Sequence, residues 1–224
     1  SSYTISGSTI IFAAALTTDD SIDFITVLGD VLDLGVPSDG VVGNTQLADA
    51  VKVGKQTIWI PAQAMAPTAS NGSSTLQTVE TTSGRPDMNV LDFDKDSDEH
   101  AQFSVAFPKS WNAGTVTFQF FWSGLAATTG VSMGLQGVAF ADNDSIDTAY
   151  GTAVVVDDDA QGAVEELLVS AESGAVTIAG SPGDDELCYF RIFRDVSDSN
   201  DDMAGDCRLH GIKLFFTVDA ANDA

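Results

Sequence analysis

The sequence predicts an all-β fold, in which a small N-terminal β fibre module precedes an antiparallel β-sandwich of the jelly-roll kind. Many short apolar runs are separated by Gly, Pro, Asn and Asp turns, and helical periodicity is scarce. The clearest pattern lies in residues 103–122, where apolar side chains alternate and the turn at 112–114 suggests a hairpin. Its alternating residues are Phe103, Val105 and Phe107, and then Val116, Phe118, Phe120 and Trp122.

The N-terminal module is assigned to residues 1–40. Residues 1–29 contain strand patterns with a tight-turn signal at Ser6-Gly7-Ser8. Residues 30–40 contain several Gly residues and a Pro, which predict an irregular segment at the end of the module. Residues 41–54 are predicted to be a linker with a short helix, which Asn44 or Thr45 can cap.

The sandwich is assigned to residues 55–224. Residues 66–84 are rich in Ser, Thr, Gly and Pro, which predicts a long surface loop or extended arm. Besides the central pair, the predicted strands are residues 57–60, 89–93, 131–140, 152–156, 166–170, 175–179, 187–195 and 206–218.

The charge balance restricts the partners. Nine Lys and Arg residues stand against 33 Asp and Glu, a net charge of −24. Such a chain lacks the basic surface that nucleic acids and anionic lipids require, so neither is expected as a partner. The composition suits a saline habitat, where salt screens self-repulsion, or an acidic surface that maintains solubility. No apolar run of about 18 residues predicts a membrane helix.

The beginning of the chain and its cysteines suggest where the protein is made. The sequence begins with Ser1 rather than with an initiator Met, and it shows no signal peptide, so the chain is expected to be part of a longer protein. If residues 187–195 and 206–218 form a hairpin, Cys188 and Cys207 lie too far apart to bridge. Free thiols are therefore expected, as in a reducing cytoplasm.

Two segments resemble known phage proteins. YTISGSTIIFAAALTTDDSIDFITVLG, followed by VPSDGVVGNTQLADAV, resembles the β module and linker of bacteriophage tail fibres, although the strand expected before it is missing. IWIPAQAM, LDFD, FPKSWNAGTVTFQFFW, GVAFADNDSIDTAYG and RLHGIKLFFTVDAANDA together resemble the C-terminal domain of phage virion proteins common among marine phages. These resemblances imply a structural or host-contacting virion part, with no catalytic residues to carry over.

Few residues suggest catalysis. His100 and His210 are more typical of satisfied or solvated histidines than of a catalytic pair, and no G-x-S-x-G nucleophile motif occurs. Carboxylate pairs could serve glycoside hydrolysis, but acid-rich loops produce such pairs by chance. We therefore expect no enzyme, no catalytic residues and no cofactor.

Four carboxylate clusters raise the question of calcium. Calcium prefers such oxygen ligands, but the cluster that begins at Asp92 fails the EF-hand pattern because Ser97 and Phe103 occupy the Gly and Glu positions, and residues 195–206 also lack the required Gly. Asp side chains that cap their own turns explain the clusters more simply, so no metal site is assigned. The clusters are Asp92, Asp94, Asp96 and Asp98; residues 195–206; Asp142, Asp144 and Asp147; and residues 157–159.

The three tryptophans could stack on sugar rings if they are exposed. Trp122 belongs to an apolar strand face and is expected in the core. Trp111, beside the 112–114 turn, is the best candidate for an exposed ring, and Trp59 is the third. Core or subunit-interface packing is nevertheless favoured over contact with a ligand.

Together these inferences predict a structural virion protein, a tail fibre or appendage that mediates host-surface attachment. Its expected partners are other virion proteins and a host-surface glycan or protein, and a homotrimer is expected because fibres are usually trimeric. It would be assembled in the host bacterial cytoplasm. A capsid decoration or head-fibre protein is the alternative, and a polysaccharide-degrading enzyme is a further one.

Overall fold

The computed structural model describes residues 3–6, 9–15, 17–19, 53–164 and 166–223, and it confirms the all-β class. The chain divides into two compact units, Ser1–Gln46 and Leu47–Ala224. No helix within these described ranges is long and apolar enough to cross a bilayer.

The N-terminal unit contains an antiparallel pair of strands, β1 (Tyr3–Ser6) and β2 (Thr9–Phe12). The two strands agree with the strand patterns predicted within residues 1–29. The strand expected within residues 21–29 and the linker helix expected after Asn44 lie outside the described residues.

The second unit is a sandwich of two sheets. Sheet I has the order β10-β9-β13-β7-β4, and β12 adds to β9 in parallel. Sheet II has the order β11-β8-β14-β6-β5, and β3 also pairs with β14. In chain order the strands are β3 (Gly54–Pro61), β4 (Ala66–Pro67), β5 (Gln77–Glu80), β6 (Asp87–Phe93), β7 (His100–Ala106), β8 (Thr117–Ser123), β9 (Gly130–Phe140), β10 (Val154–Asp159), β11 (Leu168–Val169), β12 (Ile178–Ala179), β13 (Leu187–Arg194) and β14 (Cys207–Val218).

The predicted alternation positions the core. Phe118, Phe120 and Trp122 point inward from β8 and are fully buried, while the residues between them are partly exposed. Both sheets contribute to one hydrophobic cluster. The indole of Trp122 also reaches across the sandwich, and its Nε1 donates a hydrogen bond of 2.7 Å to Asp158 Oδ2 on β10.

The predicted hairpin within residues 103–122 is wrong. β7 pairs with β13 in sheet I, whereas β8 pairs with β14 in sheet II, so the intervening segment crosses between the sheets. Trp111 and Phe107 lie on this crossing and stack with ring centroids 4.2 Å apart. The crossing therefore has apolar contacts of its own, which a tight surface turn would lack.

The hairpin considered for β13 and β14 is also wrong, because these strands lie in opposite sheets. The connecting residues 195–206 surround the buried Arg194, whose guanidinium hydrogen-bonds the carbonyl oxygens of Met203 and Gly205. The expectation of free thiols is nevertheless confirmed, since Cys188 and Cys207 are both unbridged and buried.

Residues 66–84 are more regular than predicted. They contain β4, which pairs with β7, and β5, which pairs with β6. The Thr68 and Ser73 amides both donate to the His100 carbonyl oxygen. A polar segment can follow a sheet edge in this way because its backbone groups find partners there.

The two outer faces of the sandwich differ. On sheet I, every residue of β9 except Phe140 is buried, partly because the Phe193 ring covers Gly134 and Arg191 can hydrogen-bond the carboxamide of Gln136. On sheet II, outward-facing residues of β3, β8 and β14 remain accessible. The covering of sheet I is confined to β9, because the outward-facing residues of its neighbours β7, β10 and β13 are also partly exposed.

Candidate functional site

Trp59 is the most exposed large aromatic residue on the accessible face of sheet II, with 47% of its surface open to solvent. It lies on β3 between Ile58 and Ile60, both of which pack toward the core. Because successive side chains of a strand point to opposite faces, the two isoleucines direct Trp59 outward.

A β-bulge on β14 makes room for the Trp59 indole. Leu209 pairs with Trp122 and Gly211 pairs with Phe121, which leaves His210 as an extra residue in β14. A Cβ placed on Gly211 would lie 2.8 Å from Trp59 Cη2 and Cζ2. The indole therefore occupies the space above Gly211 that any other side chain would fill.

Phe121 supports the same indole from β8. The two rings meet edge-to-face, with centroids 5.0 Å apart and planes at 85°. Such a geometry matches the quadrupoles of aromatic rings and contributes about 0.5–1.5 kcal/mol beyond the area that is buried. Trp59 is consequently exposed, yet held in one position by Phe121 and Gly211.

The rings border a shallow open depression, which we call the aromatic depression. Its surface is almost entirely apolar, and the only charged side chain among its lining residues is that of Lys213. The lining residues are Trp59, Met88, Phe121, Leu167, His210 and Lys213. Exposed apolar surface with a few polar groups at its border is typical of a binding site.

Polar groups lie next to the aromatic depression. His210 Nε2 is 3.0 Å from Ser123 Oγ, and both residues line an adjoining pocket together with Arg208. Burial, assisted by the positive charge of Arg208, lowers the pKa of His210 below its usual 6.5. The imidazole is therefore neutral at pH 7 and can exchange hydrogen bonds with hydroxyl groups.

Ser123 and His210 are paired as the serine and histidine of a Ser-His-Asp catalytic triad would be, but the described residues supply no carboxylate as the third member. Among the described residues, no carboxylate hydrogen-bonds to the His210 ring, so nothing there orients it as a base. The other histidine, His100, stacks on Phe193 with centroids 5.4 Å apart, and its Nδ1 lies 3.1 Å from the Asn71 carbonyl oxygen. Each ring thus has a hydrogen-bond partner for one of its nitrogens, which agrees with the prediction of satisfied or solvated histidines.

The burial of Trp111 agrees with core packing, the favoured interpretation of that residue, rather than with an exposed ring. Trp111 is only 4% exposed, because it stacks on Phe107 and its backbone bridges Val218. Trp122 lies in the core, as predicted. Trp59 is instead the tryptophan that can stack on a ligand, and the flanking isoleucines are the sequence signal that identifies it.

The acidic clusters mostly cap turns. Asp94 accepts from the Asp96 amide at 2.7 Å, Asp144 accepts from the Ala141 amide at 2.9 Å, and Asp198 accepts from the Asn200 amide at 2.9 Å. These bonds confirm the prediction that Asp side chains cap their own backbone. Within the described ranges, no group of three or more His, Cys, Asp or Glu residues is arranged to hold a metal ion.

The 195–206 loop has a separate structural role. Its Asp201 receives two hydrogen bonds from Arg194, at 2.8 and 2.7 Å, and a third from the Ser132 amide at 3.1 Å. Both side chains are almost completely buried. This ion pair fixes the loop to sheet I, so these oxygens stabilise the fold.

Comparison with known proteins concerns the fold alone. No protein-family model and no curated protein matches the chain. Among solved structures, the chain is similar to a family 35 carbohydrate-binding module from Clostridium thermocellum, at 12% identity and a TM-score of 0.42, covering 71% of this chain and 97% of that one. It is also similar to the CBM22-2 xylan-binding domain of Paenibacillus barcinonensis Xyn10C, at 10% identity and a TM-score of 0.40, covering 67% of this chain and 90% of that domain. A third similar structure is CBM35 of Cellvibrio japonicus Abf62, at 9% identity and a TM-score of 0.39, covering 71% of this chain and 92% of that one.

Proposed function

We propose that the sandwich binds a glycan through the outer face of sheet II, and that the chain is a virion appendage subunit that uses this face for attachment to a host surface. The observation that carries the proposal is the exposed and fixed indole of Trp59 in the aromatic depression.

The chemistry of a pyranose matches this surface. One face of the ring presents C–H groups that pack against an aromatic plane, and its edge presents hydroxyls that need hydrogen-bond partners. Trp59 supplies the plane, while Ser123 and His210 supply donors and acceptors nearby. An indole that is already held in place loses little conformational entropy on binding, which favours affinity.

The open shape of the depression favours a polymer over a small metabolite. Small-molecule sites usually enclose most of their ligand, whereas this surface continues into the adjoining pocket through shared residues Met88, Leu167 and His210. An extended chain can occupy both at once, so we expect affinity to increase with oligosaccharide length.

The virion assignment comes from the sequence. The fibre-like segments before residue 52 and the resemblance of residues 55–224 to phage virion proteins support an appendage, with a homotrimer as the expected assembly. Attachment then needs specific contacts, because a net charge of −24 opposes non-specific adhesion to anionic envelopes.

The test is binding of the purified protein to arrayed bacterial surface polysaccharides. Trp59→Ala is compared with Tyr189→Ala, which removes an aromatic ring from β13 of sheet I. We expect wild type and Tyr189→Ala to bind the same glycans, and Trp59→Ala to lose them. Equal binding by all three proteins, or binding to none of the glycans, would contradict the proposed site.

The alternative virion role makes a different prediction. A capsid decoration or head-fibre protein binds capsid and no host glycan, so antibodies would label virion heads and the array would be silent. A polysaccharide-degrading enzyme would release reducing ends from a bound glycan. A bound glycan that stays intact distinguishes the attachment proposal from both.

A further inference from the structure

We infer that the glycan recognised at the aromatic depression is acidic, and that Lys213 binds the negative group of a sugar whose ring packs on Trp59. This inference rests on the proposed function and specifies its substrate class. The shared chemistry is a pyranose that bears one anionic substituent, either a carboxylate or a sulfate ester.

The first observation is the distribution of charge. The chain has 33 acidic residues, yet among the described residues no Asp or Glu lines the aromatic depression, where the charged side chain is Lys213. A surface this acidic would place a carboxylate beside most lysines. Glu166 lines the adjoining pocket but not the depression, so an anion is best accommodated in the depression, where Lys213 lies.

The second observation is that the neighbouring cations are already paired. Lys55 on β3 forms an ion pair with Glu172, and Arg208 Nε lies 3.5 Å from Asp92 Oδ1. By contrast, Lys213 forms no ion pair with a carboxylate of the described residues. Within the part of the chain that the structure describes, its ammonium contacts the Phe121 ring and no carboxylate, which leaves its hydrogen-bond donors open to an external anion.

The third observation is the position of this ammonium. Lys213 and Trp59 are directly opposite each other in the β14–β3 ladder, so their side chains leave the same face of the sheet. Lys213 Nζ also lies 5.3 Å from the centroid of the Phe121 ring, the ring on β8 that contacts the Trp59 indole edge-to-face. A sugar stacked on Trp59 thus has the ammonium at its edge, where a ring substituent projects.

The experiment compares three oligosaccharides of equal length by calorimetric titration: an oligouronate, its carboxyl-reduced neutral product, and a sulfated galactan fragment. The proteins are wild type, Lys213→Gln, Trp59→Ala and the matched control Lys109→Gln. Lys109 is an exposed lysine that lies near Asp185, away from the depression. All four should remain folded, because each substituted side chain is at least partly exposed.

The expected result is tight binding of an anionic oligosaccharide and at least tenfold weaker binding of the neutral one. Lys213→Gln should weaken binding of the anionic ligand by about tenfold, as loss of a charged hydrogen bond does, and leave binding of the neutral ligand unchanged. Lys109→Gln should bind as wild type does. Preference for the oligouronate or for the sulfated fragment identifies which anion Lys213 accepts.

Two results separate this inference from the proposed function. If the neutral oligosaccharide binds as well as the charged ones and Lys213→Gln has no effect while Trp59→Ala abolishes binding, the acidic-sugar inference is overturned and the glycan site stands. If Trp59→Ala binds every ligand as wild type does, the site itself is overturned.

Discussion

Replacing Gly211 by Ala should remove glycan binding while every aromatic residue of the site stays in the chain. The new Cβ would lie 2.8 Å from two atoms of the Trp59 indole and 2.6 Å from the Ile60 carbonyl oxygen. Both distances are shorter than real Cβ contacts allow, so the indole must leave its place above β14.

The cost follows from this crowding. Overpacking by one methyl group destabilises a protein by about 1–3 kcal/mol. For a domain of this size we expect the melting temperature of Gly211→Ala to fall by roughly 2–12 °C. The protein should stay folded, because the indole is at the surface and can turn outward.

A double-mutant cycle separates the clash with the indole from the remaining costs, which are the contact with the Ile60 carbonyl oxygen and the strain of alanine at the Gly211 φ of +154°. In a Trp59→Ala background the indole is gone but the Ile60 carbonyl remains, so Gly211→Ala should cost less there than in wild type, by about 0.5–1 kcal/mol. Urea unfolding gives the four stabilities, and calorimetric titration with the bound glycan gives the affinities. If Gly211→Ala bound the glycan as wild type does, the role of Gly211 in holding Trp59 would be refuted.

Three further predictions concern the rest of the sandwich. Arg194→Met should destabilise the fold by about 3–5 kcal/mol in urea unfolding, because it leaves Asp201 buried without its partner, and a smaller loss would show that the ion pair does not fix the 195–206 loop. Burial raises the pKa of Cys188 to about 12 and also raises that of Cys207, so Ellman's reagent should modify neither thiol in the native protein and both after unfolding. The pKa of His210 is lowered in the folded state, so the stability that its neutral form contributes is present above pH 6.5 and is lost as pH falls from 6.5 toward its folded value. His210→Gln should therefore lose less stability than wild type between pH 7.5 and 5.5, and equal losses would contradict the cause assigned to that shift.

The strands were predictable because their physical cause is local. Alternation at β8 follows from a two-residue period that one buried face imposes, and the Gly-interrupted pattern of residues 131–140 became β9 within one residue of its predicted start. Pairing was not predictable in the same way. β7 and β8 are close in sequence but lie in opposite sheets, since each is paired along its length with a strand from the end of the chain.

The site shows the same division. The alternation Ile58-Trp59-Ile60 is enough to direct Trp59 outward, whereas the turn that suggested an exposed Trp111 belongs to a crossing between the sheets in which that ring is buried. The β-bulge at His210 and the space above Gly211 depend on contacts between β3, β8 and β14, which are distant in sequence. Such features arise only once the sheet has assembled, so no local pattern encodes them.

The most direct test of the glycan site is a titration of ¹⁵N-labelled protein followed by NMR. The sequence contains three tryptophans, so three indole N–H signals are expected, and single substitutions assign them. Addition of a binding oligosaccharide should shift the Trp59 signal and leave those of the buried Trp111 and Trp122 unchanged. A bound glycan that leaves the Trp59 signal unmoved would contradict the account.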